Sequence, residues 1–198
     1  MDAGRRSLST AFTARFRLAH VEDPRLARVL ERVADASGWS ASRAAARAGW
    51  RSGRGVACGI YKGVSFVAVV ADLQVASASG ELRVTRMWCA HDCGRIVNPD
   101  QVRAQCEGNL VWGLGMLLTD RLPVAGSRIA ASSFADAPLP RFEQVPPIEV
   151  LLVDAGDAPG GAGETAIVAA AAALANAVRD ATGVRLTRFP LDATSLKG

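Results

Sequence analysis

The chain has 198 residues, enough for one domain with a substantial core, because the buried share of the surface grows with length. Hydrophobic residues make up 49% and charged residues 21%, a mix that excludes disorder, collagen-like repeats and a disulfide miniprotein. The net charge of +4 rests on arginine, much of it before Gly55, but those arginines are interleaved with Ala and Leu and have only Trp39 and Trp50 as large aromatic neighbours, so a solvated helix face is expected and nucleic-acid binding is not.

Residues 1–22 read as an N-terminal arm and 23–198 as one folded portion. Arg5-Arg6-Ser7-Leu8 has the look of a twin-arginine signal, but Arg15 and Arg17 interrupt the apolar run that must follow, and chance is the better reading. No stretch supplies the ~20 consecutive apolar residues of a membrane span, and a soluble protein, cytoplasmic or periplasmic, is expected. From Pro24 the apolar residues Leu26, Val29, Leu30 and Val33 recur at helical spacing, with Asp23 as N-cap and Gly38 as stop, so a helix is expected over 24–37. Residues 40–54, rich in Ser, Ala, Arg and Gly, read as a linker leading into an α+β core over 55–191.

Strands are expected near 54–75, with its β-rich run from Val64 to Val75, and near 81–90, from Glu81 to Ala90, joined by Ser77-Ala78-Ser79-Gly80 in a hairpin; the first run is apolar up to Ala71 and should be buried on both faces. Asn98 and Pro99 then open a helix over 99–118, whose Gly108, Gly113 and Gly115 each cost about 1 kcal/mol relative to Ala and imply a close-packed neighbour. The five prolines between Pro123 and Pro147 mark an irregular connection. Ile148 to Val153 reads as a strand, 165–182 as an Ala-rich helix ended by Gly183, and Val184 to Leu191 as a last strand.

Four cysteines, Cys58, Cys89, Cys93 and Cys106, are too few and too irregular for a disulfide framework. Cys89, His91 and Cys93 share one face of an extended segment and could suggest a metal pair, but no second ligand pair follows at zinc spacing, so buried free thiols are the better reading and no protein metal ligand is assigned.

Pro159-Gly160-Gly161-Ala162-Gly163-Glu164 carries the strongest chemical signal. A Gly-rich turn ending in one carboxylate at a helix start keeps that carboxylate ionised, and an ionised carboxylate within reach of a proton is a competent base. Residues alone leave a second reading open: a Glu that merely complements the helix dipole, the commoner outcome for such turns. The loop lacks the Lys-Ser/Thr of a phosphate loop and the spaced glycines of a dinucleotide fingerprint.

Five ordered blocks decide between these readings. Asp92-Cys93-Gly94-Arg95-Ile96-Val97-Asn98-Pro99, then Gln105-Cys106-Glu107-Gly108 with Gly113-Leu114-Gly115, then Ser133 to Leu139 with Pro147 to Val150, then Gly161-Ala162-Gly163-Glu164, then Ala173 to Val178 with Ala181-Thr182-Gly183, together resemble the C-terminal molybdopterin-binding portion of molybdenum hydroxylase large subunits, the xanthine dehydrogenase and aldehyde oxidase family. The resemblance runs from about Asp23 to Leu191 and is strongest to the isoquinoline 1-oxidoreductase β-subunits and related bacterial aldehyde dehydrogenases.

That resemblance implies an α+β fold of mixed sheets with packed helices, and a molybdenum–molybdopterin cofactor, commonly the cytosine dinucleotide. It implies Glu164 as the general base that activates a molybdenum-bound hydroxide, and Gln105, Gly161, Ala162 and Gly163 as cofactor-binding residues. It further implies oxidation of aldehydes or aromatic N-heterocycles with water as the oxygen source, an upstream large-subunit half that shares the cofactor, and a small partner subunit carrying 2Fe–2S clusters. A Gln on a helix surface is otherwise solvated. Thr165 stands where relatives often have Pro, Asn109 where they have a second Gly, and Ala135 and Ala137 where His and Tyr are common; a wider, more apolar substrate funnel is expected. The chain is several-fold shorter than those subunits, so it is expected to be a split or incomplete subunit, inactive alone. The alternative is a non-catalytic half that keeps the fold and a docking surface.

Overall fold

The computed structural model describes residues 10–41, 46–156 and 158–197. Arg5-Arg6-Ser7-Leu8 and Arg43 lie outside them. Helices α1 (Thr10–His20) and α2 (Pro24–Ala36) come first, then strands β1 (Trp50–Tyr61), β2 (Ser65–Ala76) and β3 (Leu82–Asp92), helix α3 (Pro99–Leu118), a two-residue ribbon of β4 (Val124–Ala125) and β5 (Arg128–Ile129), strand β6 (Ile148–Leu152) and helix α4 (Ile167–Thr182). One sheet runs in the order β1-β2-β3-β6, antiparallel from β1 to β3 and parallel between β3 and β6. No helix among the described residues is long and apolar enough to cross a membrane.

The apolar stretch of β2 is buried throughout because helices cover both faces of the sheet. Val67, Val69 and Ala71 point to a core shared with α3 and α4, while Phe66, Ala68 and Val70 point to a second core under α2, with Trp39 and Trp88. Asp23 caps α2, accepting from the Arg25 and Leu26 N–H groups, and Asn98 caps α3, accepting from Gln101 N–H, so both starts follow from side chains whose oxygens satisfy orphan donors. Gly38 (φ 59°) and Gly183 (φ 78°) end α2 and α4 in the left-handed region.

Several expectations are corrected. Residues 10–20 of the expected arm form α1. Strand β1 begins at Trp50, inside the expected linker, and the strand expected near 54–75 is two antiparallel strands, β1 and β2, parted by a turn at 62–64; the small residues of β1 are there because α4 lies against it. A Cβ on Gly53 would sit 2.0 Å from Ala177 O, and one on Gly55 2.1 Å from Ala173 O. Helix α4 also satisfies the free edge of β1: Asp180 accepts from Arg54 N–H at 3.0 Å and Asn176 Nδ2 donates to Val56 O at 3.0 Å. Residues 184–191 form no strand: 184–187 have no regular structure and 188–190 bend. Their alternation reflects Val184, Leu186 and Leu191 packing on the core, and Leu191 N–H donates to Leu117 O instead of to a ladder. Of the α3 glycines, Gly113 meets α4, with a Cβ placed 2.5 Å from that of Ala170, and Gly115 meets Pro140, but Gly108 faces open space.

Candidate active site

The Gly160–Glu164 loop leads from β6 to α4 and is held from four directions. Gly160 N–H donates to Cys93 O at 2.6 Å, so the loop hangs on the end of β3; a Cβ at Gly160 would lie 2.9 Å from Val64 O and 3.1 Å from Cys93 O. Gly161 O accepts from Ser65 Oγ at 2.5 Å and from Thr165 Oγ1 at 2.9 Å. Asn109, 5% exposed on α3, donates through Nδ2 to Gly163 O at 2.8 Å and to Gln105 O at 2.7 Å, and accepts through Oδ1 from Ile167 N–H at 3.1 Å. Helix α4 starts at Ile167 and Ala166 supplies no side-chain cap, so Asn109 serves as the capping residue from a neighbouring helix.

Glu164 therefore stands three residues before α4 rather than inside its first turn, and its carboxylate is exposed. Tyr61, the last residue of β1, donates its hydroxyl to Glu164 Oε2 at 2.5 Å. Gln105 is exposed one turn before Asn109, and Asn109 ties its backbone carbonyl to the same loop. Ala162 is half-buried and packs on the core between sheet and helices, whereas Gly161 and Gly163 are exposed.

The Asp92-Cys93-Gly94 block acts as the loop's anchor. Asp92, with no exposed surface, is gripped by Arg25 of α2 through Nη2 at 2.6 Å and Nε at 3.0 Å, and Gly94 N–H donates to it at 2.9 Å. Burial alone would raise its carboxyl; the Arg25 and Gly94 hydrogen bonds, with the charges of Arg25 and Arg28, outweigh that and hold it below the usual 3.8. Beside it, Cys89, His91, Cys93 and Cys106 form a buried group under α3, and all four cysteines of the chain are free of disulfides. Neither His91 ring nitrogen has a hydrogen-bond partner of good geometry, but sulfur surrounds the ring. Burial opposes its charge, and the thiols of Cys106 and Cys93 overcome that and push His91 up to about 9. Contact with Cys89 chiefly, and with His91, draws Cys106 down to about 6 against its own burial. Among the described residues no group of three or more His, Cys, Asp or Glu has a metal-holding arrangement.

The loop fits a bulky group that brings its own metal ligands. Gly161 and Gly163 would meet nothing within 4 Å if each carried a Cβ, and neither has a left-handed φ, so nothing inside this chain requires glycine at either position. Bare backbone is needed where something approaches from outside. A single carboxylate beside it, with no cluster of three or more His, Cys, Asp or Glu among the described residues, suits a pterin-held metal better than a metal bound directly by protein side chains.

Residue-level reading of the sequence singles out Glu164, Gln105 and the glycines but misses Tyr61 and Ser65, and it takes Asn109 and Thr165 only as departures from the family pattern. Both departures bind the loop. A lone tyrosine before Lys62-Gly63 carries no local signal; only the fold of β1 beside α4 brings it to Glu164.

A four-stranded mixed sheet with helices packed on both faces matches a segment of the molybdopterin-binding region of molybdenum hydroxylases. Residues 60–146 match the family model described as molybdopterin cofactor-binding domain, and the chain belongs to the molybdenum hydroxylase large-subunit family. It is 37% identical over 177 residues to the β-subunit of isoquinoline 1-oxidoreductase from Brevundimonas diminuta, covering 89% of this chain and 22% of that protein. It is 32% identical over 194 residues to a subunit of nicotinate dehydrogenase from Pseudomonas putida, covering 92% and 16%. Among solved structures, quinoline 2-oxidoreductase from Pseudomonas putida 86 superimposes with a TM-score of 0.60 at 23% identity over 66% of this chain and 18% of that one, a likeness of fold. The chain thus spans less than a quarter of the length of these relatives.

Proposed function

We propose that this segment supplies the catalytic base and part of the cofactor cradle of a molybdenum hydroxylase that oxidises aldehydes or aromatic N-heterocycles, with Glu164 as the base. The observation that carries this is the placement of Glu164: an exposed carboxylate on a loop fixed at Gly160, Gly161, Gly163 and Ile167, next to two glycines whose outer side is open. A molybdenum–molybdopterin group, in the cytosine dinucleotide form, supplies two-electron oxidation and oxygen transfer from water when bound. Glu164 takes up the proton released as the water-derived nucleophile forms. Gly161 and Gly163 let that group approach the backbone, half-buried Ala162 anchors the loop between them, and the exposed Gln105 amide donates to or accepts from its pterin or phosphate groups. The loop is rigid because its carbonyls are engaged by Ser65, Thr165 and Asn109, so the base needs no reorganisation before proton transfer.

Substrate oxidation requires residues from the rest of the large subunit, and electrons leave through a small subunit with iron–sulfur clusters. Two clefts of this chain, one beside Arg54 and Asp72 and one between α1 and α2, include no residue of the loop, in keeping with a pocket completed by another part of the enzyme. Exchange of Glu164 for Gln in the complete subunit tests the proposal: molybdenum stays bound and turnover is lost, whereas retained turnover would remove Glu164 from the reaction.

A further inference from the structure

We infer that Tyr61 is a positioning residue for Glu164, which it holds by one carboxylate oxygen so that the other is left to take the proton. The inference rests on the reading of Glu164 as the base and adds a residue that none of the five sequence blocks contains. The backbone on both sides of Glu164 is already immobilised, by Asn109 at Gly163 and Ile167 and by Ser65 and Thr165 at Gly161. What remains free is the side chain, whose flexible stem would otherwise sample many rotamers. The Tyr61 hydroxyl removes that freedom: it donates to Oε2 at 2.5 Å, a charge-assisted contact, and Oε1 has no hydrogen-bond partner among the described residues.

Tyr61 is well suited to the task. It ends β1, whose backbone α4 grips through Asp180 and Asn176, so the phenol and the carboxylate are carried by elements that cannot shift independently. Its ring has two rotatable bonds against three for Glu164. The contact lies at the surface, where a single hydrogen bond contributes little to folding, so it has no evident structural purpose.

The chain has one tyrosine, which makes the contact visible by spectroscopy. The tyrosine Fermi doublet in the Raman spectrum of this chain should show a phenol acting as a strong donor, and Glu164→Ala should move it to the pattern of a solvated tyrosine. An unchanged doublet would overturn the inference. In the complete, molybdenum-loaded subunit, Tyr61→Phe keeps the ring and removes only the donor. The expected result is an unchanged melting temperature and a kcat lowered roughly tenfold with KM little altered, the signature of a misoriented catalytic group. A doublet that responds to Glu164→Ala with a kcat that does not respond to Tyr61→Phe would also overturn it, and would leave Glu164 as base untouched. Failure of the base itself reads differently: Glu164→Gln would then keep full turnover whatever the doublet showed.

Discussion

Asp92 keeps its charge with no exposed surface because Arg25 takes both oxygens and Gly94 N–H takes one of them again. Its folded pKa is depressed, so its stabilisation is complete above the ordinary 3.8 and is lost as pH falls through the lower folded value. Unfolding free energy measured against urea should therefore decline below about pH 4 in the wild type, and the decline should be shallower in Asp92→Asn. Removing Arg25 strands the carboxylate. Arg25→Ala is expected to cost about 3 kcal/mol, the low end for a broken buried pair because the arginine side chain is 22% exposed. The thiol group beside it gives a second residue-scale outcome. Cys106 titrates at about 6, so its contribution as thiolate is lost as pH falls through that value; His91 titrates at about 9, so its contribution as imidazolium is lost as pH rises through that one. The opposite directions of the two shifts favour the imidazolium–thiolate form of the pair over the neutral one. The ultraviolet thiolate absorbance of the folded chain should rise in a step near pH 6 that Cys106→Ser abolishes, and absence of that step would place the proton on sulfur throughout.

At the scale of elements, glycines divide into those the fold needs and those it does not. Gly55→Ala would drive a Cβ to 2.1 Å from the α4 backbone and should cost about 3 kcal/mol or more, seen as a large fall in melting temperature. Gly161→Ala meets nothing within 4 Å and should leave the melting temperature of this chain unchanged while lowering the molybdenum content of the complete subunit. A destabilised Gly161→Ala chain would show that the loop's glycine serves folding. Asn109→Ala deprives α4 of its borrowed cap and should cost about 1 kcal/mol, with faster amide exchange at Ile167.

The same elements show what the sequence could reveal. Asp23-Pro24 and Asn98-Pro99 mark two helix starts correctly because capping is local chemistry, and the apolar run of β2 announces a strand covered on both faces. The start of β1 at Trp50, and its separation from β2 within the strand expected near 54–75, are hidden because its Ser and Gly residues answer to α4, more than a hundred positions away, and not to strand propensity. Val184 and Leu186 alternate with exposed Arg185 and Thr187 as in a strand, because chain laid on a core can bury every second residue whether or not a ladder partner exists. Glu164 is legible as a motif. Its partners are not, because Tyr61, Ser65 and Asn109 come from three separate elements that only the fold assembles.

For the whole molecule, the governing fact is that the Gly161 and Gly163 side of the loop faces open space. Residues 120–145 also present Leu122, Phe134, Leu139 and Phe142 to solvent, the last at 96% exposure, so apolar surface and the open side of the glycine loop both await contacts that these residues do not make with one another. Chemistry is accordingly expected from the complete subunit. The direct test of the account is the turnover number per bound molybdenum of Glu164→Gln in that subunit, with an aldehyde or N-heterocycle as substrate. General-base help is worth roughly 10²–10⁴-fold, and a loss in or above that range at matched molybdenum content is the predicted result. Turnover within a factor of about two of the wild type would contradict it, and would reduce Glu164 to a surface carboxylate near a helix start, where a loss of no more than about 1 kcal/mol of stability is all the exchange could cause.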